Sequence, residues 1–292
     1  MKVAVFGSDG QLGRDVMNAG REVGFEMIGV NRQDADVTDA VAVQGKVRST
    51  RPAIVINCAA FVRVEECERQ PSIAFETNAI GALHAARAAE ELRALCVFMG
   101  TDYVFDGKKD SPYTEDDAPN PINVYGTSKL AGEILTRQAC GRSLIVRTSS
   151  LFGIGGARGK AAGNFVEAIL RRAAAGHEVP VINDILISPT YSWHAAQALV
   201  RLIAAAPTGT VHIANRGTTT WYGLASAALR LAGLDPAVLR PISSDDFPSE
   251  VRRPRNSCLA TRNTHHVALS MPSWQDGLEH YFRRRSTPVI PV

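Results

Sequence analysis

The sequence predicts an α/β fold, with a doubly wound parallel sheet and a smaller, mostly C-terminal lobe. Two observations lead to this prediction. Short apolar segments alternate with helical segments through the first half of the chain, which is typical of a parallel sheet covered by helices on both faces. The first apolar segment also runs directly into a glycine-rich turn, as it does where such a sheet binds a dinucleotide. Together they indicate a Rossmann-type sheet.

The first half of the chain contains five predicted strands and the helices between them. The strands are Lys2 to Phe6, Phe25 to Val30, Ala53 to Asn57, Leu95 to Met99 and Ser143 to Arg147, and the helices are Gln11 to Gly20, Asp39 to Thr50, two stretches that break at Pro71, and Val124 to Ala139. Each strand is short and apolar, as buried parallel strands are. Ligands of such sheets bind at the carboxyl ends of the strands, so we expect the functional residues there.

After Ser150 the pattern changes. The segment from Leu151 to Gly163 is rich in glycine and lacks periodicity, which predicts a mobile loop. The later predicted helices are Asn164 to Ala175, Tyr191 to Ala206, Trp221 to Ala232 and Ser273 to Arg284, and the later strands are Val179 to Ile182 and Thr210 to Ala214. We expect residues 1–150, completed by residues 190–214, to form the dinucleotide-binding Rossmann domain. Residues 151–189 and 215–292 are then the substrate-binding lobe.

Composition argues against several kinds of partner. The net charge is only +3 over 292 residues, and the cluster Arg283 to Arg285 is typical of a solvated helix end rather than a nucleic-acid site. No apolar run approaches the ~20 residues that span a membrane. The five cysteines have no CxxC spacing and the seven histidines are scattered, which predicts no metal site and reduced thiols in a cytoplasmic protein.

A strand-to-helix turn at residues 7–13 predicts the phosphate site of a dinucleotide. Gly7 allows the sharp bend, Gly10 lets the backbone approach a pyrophosphate, and Gly13 lets helix and strand pack closely. The pyrophosphate is then expected at the positive end of the helix dipole. The predicted contacts in this turn are Gly7, Asp9, Gly10, Gln11, Leu12 and Gly13.

The choice between NADP(H) and NAD(H) depends on the end of the second strand. An NAD enzyme usually presents a carboxylate there to the ribose 2′-hydroxyl, but this chain has Asn31 and Arg32. Arg32 can pair with a 2′-phosphate, so NADP(H) is favoured and NAD(H) remains an alternative. Asp36 and Val37 are expected near the adenine. The small residues Cys58, Ala59 and Ala60 follow the third strand and are expected to let the cofactor lie flat against the sheet.

Three residues predict the chemistry. Tyr125 and Lys129 lie one helical turn apart on one face, and Thr101 ends the fourth strand. A free tyrosine has a pKa of ~10, and an ammonium within ~4–6 Å lowers it, which suits the phenol to acid–base catalysis. Tyr-x-x-x-Lys alone also occurs as an exposed helical pair. Combined with the glycine turn and the strand-end hydroxyl, it indicates hydride transfer between a nicotinamide and a carbonyl or alcohol carbon.

With these motifs the chain resembles the extended short-chain dehydrogenase/reductases, and most closely the dTDP-4-dehydrorhamnose reductase family. The resemblance extends from Met1 to about Leu259. The stretch from Thr101 to Gly107, followed by Tyr125 to Glu133, is particular to the family. The other matching segments are residues 7–13, 36–39, 52–60, 147–149, 164–165, 188–190, 220–222 and 253–254.

The resemblance implies a function and several residue roles. The family reduces the 4-keto group of a nucleotide-linked deoxysugar with NAD(P)H, the last step in making dTDP-L-rhamnose, and a homodimer is the default assembly. Thr101, Tyr125 and Lys129 would be the catalytic residues. The implied substrate contacts are Asp102, Tyr103, Ser150, Asn164 and Arg253, and Asn78 would support the cofactor site.

The chain departs from the family pattern where the family faces its substrate. Gly100 replaces a serine, Ser150 replaces a tryptophan, and the segment around Leu186 carries Ile185 and Ile187 in place of glutamine and glycine. Two alternatives therefore stay open. One is a dehydrogenase, reductase or epimerase that acts on another nucleotide sugar or a small carbonyl. The other is a regulatory subunit that binds NADP without catalysis.

Overall fold

The structure is a computed structural model that describes residues 1–155, 163–262 and 270–285. The central part of the predicted mobile loop, residues 156–162, and the paired residues His265 and His266 lie outside the described residues. Within the described ranges, no helix is long and apolar enough to cross a membrane.

Twelve strands occur in the described part of the chain. They are β1 (Lys2–Phe6), β2 (Glu26–Val30), β3 (Ile54–Asn57), β4 (Leu95–Thr101), β5 (Ser143–Thr148), β6 (Leu151–Phe152), β7 (Val179–Ile182), β8 (Leu186–Ile187), β9 (Thr190–Tyr191), β10 (Gly209–His212), β11 (Thr219–Thr220) and β12 (Leu239–Ile242). Six of them form one parallel sheet in the order β10-β5-β4-β3-β1-β2. This confirms the predicted α/β class with a doubly wound parallel sheet.

Ten α-helices accompany these strands in the same part of the chain. They are α1 (Gln11–Glu22), α2 (Ala40–Thr50), α3 (Val64–Arg69), α4 (Pro71–Phe75), α5 (Gly81–Glu91), α6 (Val124–Ala139), α7 (Phe165–Ala174), α8 (Ser192–Ala204), α9 (Trp221–Leu231) and α10 (Trp274–Arg284). A π-helical segment, Glu76–Ile80, joins α4 to α5. Side chains cap several N-termini, among them Asp39 on α2 and Asn123 on α6, which explains why these helices begin where they do.

The sheet has an apolar layer on each face. On one face α1 and α8 pack against strand residues such as Val3 and Val97, and on the other face α2 and α5 pack against residues such as Phe6 and Val55. The strand order reverses between β1 and β3. In open α/β sheets a ligand crevice forms at such a reversal, outside the carboxyl ends of the strands.

The remaining elements lie beyond the carboxyl ends of this sheet. They form three small sheets, in which β7 pairs with β12, β8 with β11, and β6 with β9. Helices α7, α9 and α10 belong to this part, and α7 packs on α9. Although it comes late in the sequence, β10 is an edge strand of the large sheet beside β5.

Candidate active site

A cavity of about 360 Å³ lies at the carboxyl ends of the central strands. Thirteen of the residues predicted from the sequence line it: Gly10, Gln11, Leu12, Gly13, Cys58, Ala60, Thr101, Asp102, Tyr103, Tyr125, Lys129, Ser150 and Asn164. Met99, Phe152, Phe165 and Trp221 complete much of the apolar wall. The structure therefore brings the glycine turn and the Thr–Tyr–Lys residues to one site.

The glycine turn meets the steric requirements of a phosphate site. A Cβ at Gly13 would lie 2.2 Å from the carbonyl oxygen of Gly7, so only glycine lets α1 start this close to β1. A Cβ at Gly10 would meet only that oxygen, at 3.2 Å. No side chain caps the N-terminus of α1 at Gly10, which leaves its N–H groups open to an anion. These features fit a dinucleotide pyrophosphate.

Tyr125 is placed by the start of α6. Asn123 accepts a hydrogen bond from the Gly126 N–H (2.8 Å), and the Glu68 carboxylate accepts one from the Val124 N–H (2.8 Å). The Tyr125 ring packs edge-on against Tyr103, with centroids 5.8 Å apart. These contacts fix the first turn of α6 at the rim of the cavity.

The pKa of Tyr125 differs from the expectation. Burial raises the pKa of this phenol well above its ordinary value, and a hydrogen bond with Thr101 only partly opposes the rise. The prediction that Lys129 lowers the pKa of Tyr125 is therefore wrong for the protein without ligands, because desolvation of the phenol dominates. The phenol is therefore protonated near neutral pH, as a proton donor in the reducing direction must be, but the raised pKa also makes it a weaker acid in the protein without ligands.

Lys129 lies in a buried position below the cavity. Its Nζ sits 4.2 Å from the centre of the Phe98 ring, a cation–π contact. Burial lowers the pKa of Lys129 to about 8, while the charges of Glu133 and Cys58 act in the opposite direction. The lysine thus keeps most of its charge near neutral pH.

A buried ion pair lies behind Lys129 and was not predicted from the sequence. Glu133, one turn further along α6, accepts two hydrogen bonds from Arg147 of β5, at 3.0 and 2.8 Å, and both side chains are buried. A Cβ at Gly100 would extend to 2.7 Å from the Glu133 carboxylate. The glycine that departs from the family pattern therefore makes room for this pair. One feature of the sequence did indicate this pair: Arg147 is the single charged residue in the apolar strand β5.

Asp102 contributes a carboxyl group to the cavity wall. The hydroxyls of Thr101 and Ser149 donate to its two carboxylate oxygens, at 3.1 and 2.8 Å. Burial raises the pKa of Asp102 to about 6, and the nearby hydroxyls of Ser257, Ser149 and Thr101 oppose a larger rise. Its neighbour Ser150 has a left-handed φ of 43° and lines the same cavity.

Several predicted cofactor contacts lie outside the cavity wall. Arg32 is highly exposed and forms a 2.7 Å ion pair with Asp36. The backbone and side chain of Asn31 close a local turn with Asp34. Val37 is buried in the core below α5. The other residues in this group, Gly7, Asp9 and Ala59, form the backbone around the turn after β1 and the end of β3.

Asn78 and Asn164 hold elements together around the cavity. Asn78 is fully buried behind the wall and hydrogen-bonds with the backbone of Phe61 and the hydroxyl of Ser128. Asn164 caps α7 and donates to the carbonyl of Gly153 (2.5 Å). Both side chains are thus engaged with the protein itself.

Arg253 connects this cavity to a larger one. It forms an ion pair with Glu65, and its charge partly opposes the rise that burial causes in the pKa of Tyr103, a residue of the catalytic cavity. It also lines a neighbouring cavity of about 930 Å³, together with Arg252, Arg255 and Leu186. Ile185 and Ile187 are the two aliphatic residues that depart from the family pattern. Ile185 lines the larger cavity, whereas Ile187 is buried in the core.

The family model of the RmlD substrate binding domain matches residues 1–286. The chain belongs to this family. Among its relatives, the dTDP-4-dehydrorhamnose reductase of Streptomyces griseus is 38% identical over 261 residues, which cover 87% of this chain and 84% of the relative. The spore coat polysaccharide biosynthesis protein SpsK of Bacillus subtilis is 35% identical over 286 residues, 98% of each chain.

A solved structure of a related protein has the same fold as this chain. The dTDP-4-dehydrorhamnose reductase of Bacillus anthracis, in complex with NADP, is 32% identical and has a TM-score of 0.91. The alignment covers 97% of this chain and 99% of that one. Membership of the RmlD family thus confirms the resemblance that the Thr101 to Gly107 and Tyr125 to Glu133 motifs indicated.

Proposed function

We propose that this protein is an NADPH-dependent reductase of the 4-keto group of a dTDP-linked deoxysugar. The observation that carries the proposal is the single cavity with the glycine turn on one side and Thr101, Tyr125 and Lys129 on the other. Family membership supports the same conclusion. The two together favour catalysis over the alternative of a regulatory subunit.

Each of the three residues has a role that follows from its position. When bound, the reduced nicotinamide supplies a hydride to the carbonyl carbon. Tyr125 donates its phenolic proton to the carbonyl oxygen, and Thr101 orients that oxygen from the end of β4. The charge of Lys129, held below the cavity, stabilises the negative charge that develops on the Tyr125 oxygen. Proximity within one closed site supplies a further part of the rate.

The cofactor is assigned to the turn between β1 and α1. The open N–H groups after Gly10 would hold the pyrophosphate, and the small residues Cys58 to Ala60 would border the path to Tyr125. Arg32 is assigned to the 2′-phosphate of NADP(H), which would compete with Asp36 for the guanidinium. NAD(H), which lacks this phosphate, binds more weakly in this arrangement.

The nucleotide part of the substrate is assigned to the side of Arg253. This arginine lies between the catalytic cavity and the larger one, and a guanidinium suits the bidentate binding of phosphate oxygens. Asp102, Tyr103, Ser150 and Asn164 border the space for the sugar. The Rossmann domain, residues 1–150 with 190–214, would then hold the cofactor. Residues 151–189 and 215–292 would form the substrate lobe.

One observation favours a second candidate, a reductase of another dTDP-linked keto sugar. Ser150 lines the catalytic cavity where the family has tryptophan, so the space beside the sugar differs in shape.

All five cysteines are unpaired, which supports the proposed cytoplasmic location. The homodimer stays a prediction.

The two candidates are separated by substrate. We expect purified protein and NADPH to reduce dTDP-4-dehydro-6-deoxy-L-mannose to dTDP-L-rhamnose, identified by chromatography. Faster turnover of the 4-keto-6-deoxy-D-glucose isomer would favour the second candidate. Absence of turnover with both sugars would contradict the proposed reductase.

A further inference from the structure

Under the proposed function, Arg253 binds the phosphate groups of the substrate. Its guanidinium lies on the wall of the larger cavity, and the side chain is only 17% exposed. This cation already has an anionic partner within the protein. The Glu65 carboxylate of α3 pairs with Arg253 Nη2 and accepts a hydrogen bond that would otherwise be available to a phosphate oxygen.

The orientation of the Arg253 side chain does not depend on this ion pair. Ser249 Oγ accepts a hydrogen bond from Arg253 Nη1 at 2.7 Å. The guanidinium carbon also lies 5.7 Å from the centre of the Phe247 ring, within the range of a cation–π contact. Both partners belong to the same short segment as the arginine, so the side chain keeps its direction when Glu65 moves away.

The backbone around Arg253 is fixed by other contacts as well. Asn123, which caps α6, donates from its amide nitrogen to the Arg252 carbonyl at 3.0 Å. On the other side, a Cβ at Gly107 would lie 2.7 Å from Pro254 Cα, which shows how closely the two backbones pack. Residues 252–254 are therefore held in place by contacts that Glu65 does not make.

Glu65, in contrast, is held by little else. Its side chain is 48% exposed, and among the described residues Arg253 is its one ion-pair partner. The adjacent Glu66 pairs with Arg63 instead, at 2.6 Å. An ion pair with a half-exposed partner is weak, so the Glu65 carboxylate can turn into water and leave no buried charge behind on its own side.

The larger cavity gives this single contact a large effect. Its wall carries as many acidic as basic residues, so no excess of positive charge attracts an anion. Two of the other cations on the wall are paired with carboxylates, Lys109 with Asp117 at 2.7 Å and Arg255 with Asp245 at 3.3 Å. The affinity of this cavity for a diphosphate therefore depends on whether the Arg253 guanidinium is available.

We propose that Glu65 competes with the diphosphate of the substrate for Arg253 and thereby sets the affinity of the nucleotide site. This inference rests on the proposed function, which assigns the diphosphate to Arg253. A diphosphate offers more negative charge and more acceptor oxygens than one carboxylate, so it displaces Glu65 into water. When the carboxylate returns, it assists release of the product. Glu65 thus weakens nucleotide binding, whereas a residue that only positioned Arg253 would strengthen it.

The test is isothermal titration of dTDP into the NADP⁺ complexes of wild type and Glu65→Gln. Glutamine keeps the size and the acceptor oxygen of Glu65 and removes only its charge. Glu65→Gln should bind dTDP roughly 5-fold more tightly than wild type, the upper range for an exposed ion pair. Affinity equal to that of wild type, or weaker, would overturn the proposal.

Glu66→Gln is the matched control. It removes the same charge from the adjacent position, where the partner is Arg63 rather than Arg253, and it should leave the dTDP affinity nearly unchanged. An equal gain in this variant would attribute the effect to the overall charge of α3, and the proposed competition would then be wrong.

A double-variant cycle locates the effect at Arg253. Arg253→Gln should weaken dTDP binding, and the addition of Glu65→Gln to this variant should bring no further gain, because the competition needs the guanidinium. Retained NADPH affinity shows that each variant is folded. The same gain from Glu65→Gln without Arg253 would contradict the proposal.

Turnover separates this inference from the proposed function. If Glu65→Gln binds dTDP more tightly but neither keto sugar is reduced, the competition stands and the proposed reductase fails. If a keto sugar is reduced but Glu65→Gln gains no affinity for dTDP, the reductase stands and the competition fails. Failure of wild type and Glu65→Gln alike to bind dTDP would overturn both.

Discussion

At the scale of single residues, the charge of Lys129 depends on a carboxylate that no substrate touches. Glu133 lies one helical turn below the lysine and raises its pKa against the effect of burial. Arg147 holds Glu133 in place through two hydrogen bonds. The charge of Lys129, which we propose assists Tyr125, therefore depends in turn on Arg147 of β5.

Glu133→Gln should destabilise the protein because it leaves the buried Arg147 guanidinium without its counter-charge. Loss of one partner of a buried pair costs about 3–5 kcal/mol. The free energy of unfolding, from urea titration, measures this loss. The double variant Glu133→Gln/Arg147→Met removes both charges and should recover most of it. A single variant as stable as wild type would contradict the assignment of this pair.

Arg32→Gln should weaken NADPH binding by roughly 10-fold, the size expected for one exposed charge-assisted hydrogen bond, and leave NADH binding nearly unchanged. Asp36→Asn should act in the opposite direction, because it releases Arg32 from its ion pair. Isothermal titration with both cofactors measures the two affinities. Equal effects of Arg32→Gln on NADPH and NADH would remove the argument for NADP selectivity.

The position of a functional residue could be predicted only where residues close together in the sequence form a recognisable pattern. The spacing of Tyr125 and Lys129 places both on one helix face, and Thr101 was placed correctly because it follows an apolar strand. The Glu133–Arg147 pair joins a helix to a strand through a contact that no spacing rule describes. The pKa of Tyr125 was mispredicted because the spacing of Tyr125 and Lys129 along the helix does not reveal how deeply the phenol is buried.

At the scale of elements, two glycines of the turn from β1 to α1 have different roles. Gly10 is assigned to binding of the ligand, and Gly13 to the packing of α1 against β1. A Cβ at Gly10 would make one tight contact, 3.2 Å from the carbonyl oxygen of Gly7. A Cβ at Gly13 would collide with the Gly7 backbone at 2.2 Å. Both glycines border the same cavity, but only the space at Gly10 remains for a phosphate.

Gly10→Ala should therefore lose cofactor affinity at a smaller cost in stability than Gly13→Ala, which should lose about 2 kcal/mol because the backbone must shift. Thermal unfolding with and without NADPH distinguishes the two effects. Wild type should gain about 2.7 kcal/mol at a ligand concentration 100 times Kd, and Gly10→Ala much less. Full stabilisation of Gly10→Ala by NADPH would place the pyrophosphate elsewhere.

Helices α8 and α10 meet through two histidines. His194 Nε2 lies 2.9 Å from His280 Nδ1, and the Asn215 side chain donates to His194 Nδ1. Asn215 thus leaves His194 Nε2 as the protonated nitrogen of a neutral ring. Burial, with the charge of His280, lowers the pKa of His194 to about 4.

This contact should make the protein sensitive to acid. The folded pKa of His194, about 4, is below its ordinary 6.5, so the unfolded chain binds the proton first. The stabilisation is complete above pH 6.5 and is lost as the pH falls towards 4, by up to ~3 kcal/mol. His194→Gln should flatten this pH dependence in urea unfolding, and the exposed His177→Gln should not. Identical slopes for all three proteins would contradict the assignment.

Long elements were predictable and short ones were not. The helix from Val124 to Ala139 was predicted with its observed bounds, since Asn123 caps it and its apolar residues are periodic. Strands β6, β8, β9 and β11 have two residues each, too few for any alternation. They exist because segments far apart in the chain meet beside the cavity.

At the scale of the whole molecule, the alternation of apolar strands and helices was sufficient to predict the doubly wound sheet. The change of pattern after Ser150 also predicted a smaller lobe, formed by residues 151–189 and 215–292, with residues 190–214 returning to the Rossmann domain. The sequence could not predict that β10 pairs with β5, because this pairing joins strands that about sixty residues of intervening chain separate. Nor could it give the larger cavity beside Arg253, which several separate segments enclose.

We propose that the two sides of the 360 Å³ cavity act as one active site, with Tyr125 as the proton donor to a dTDP-linked keto sugar. The most direct measurement is NADPH oxidation and NADPH affinity for wild type and Tyr125→Phe, with dTDP-4-dehydro-6-deoxy-L-mannose generated in situ. The variant should lose turnover by roughly 10²-fold or more and bind NADPH nearly as well as wild type. Turnover at the wild-type rate, or an equal loss of binding and turnover, would contradict it.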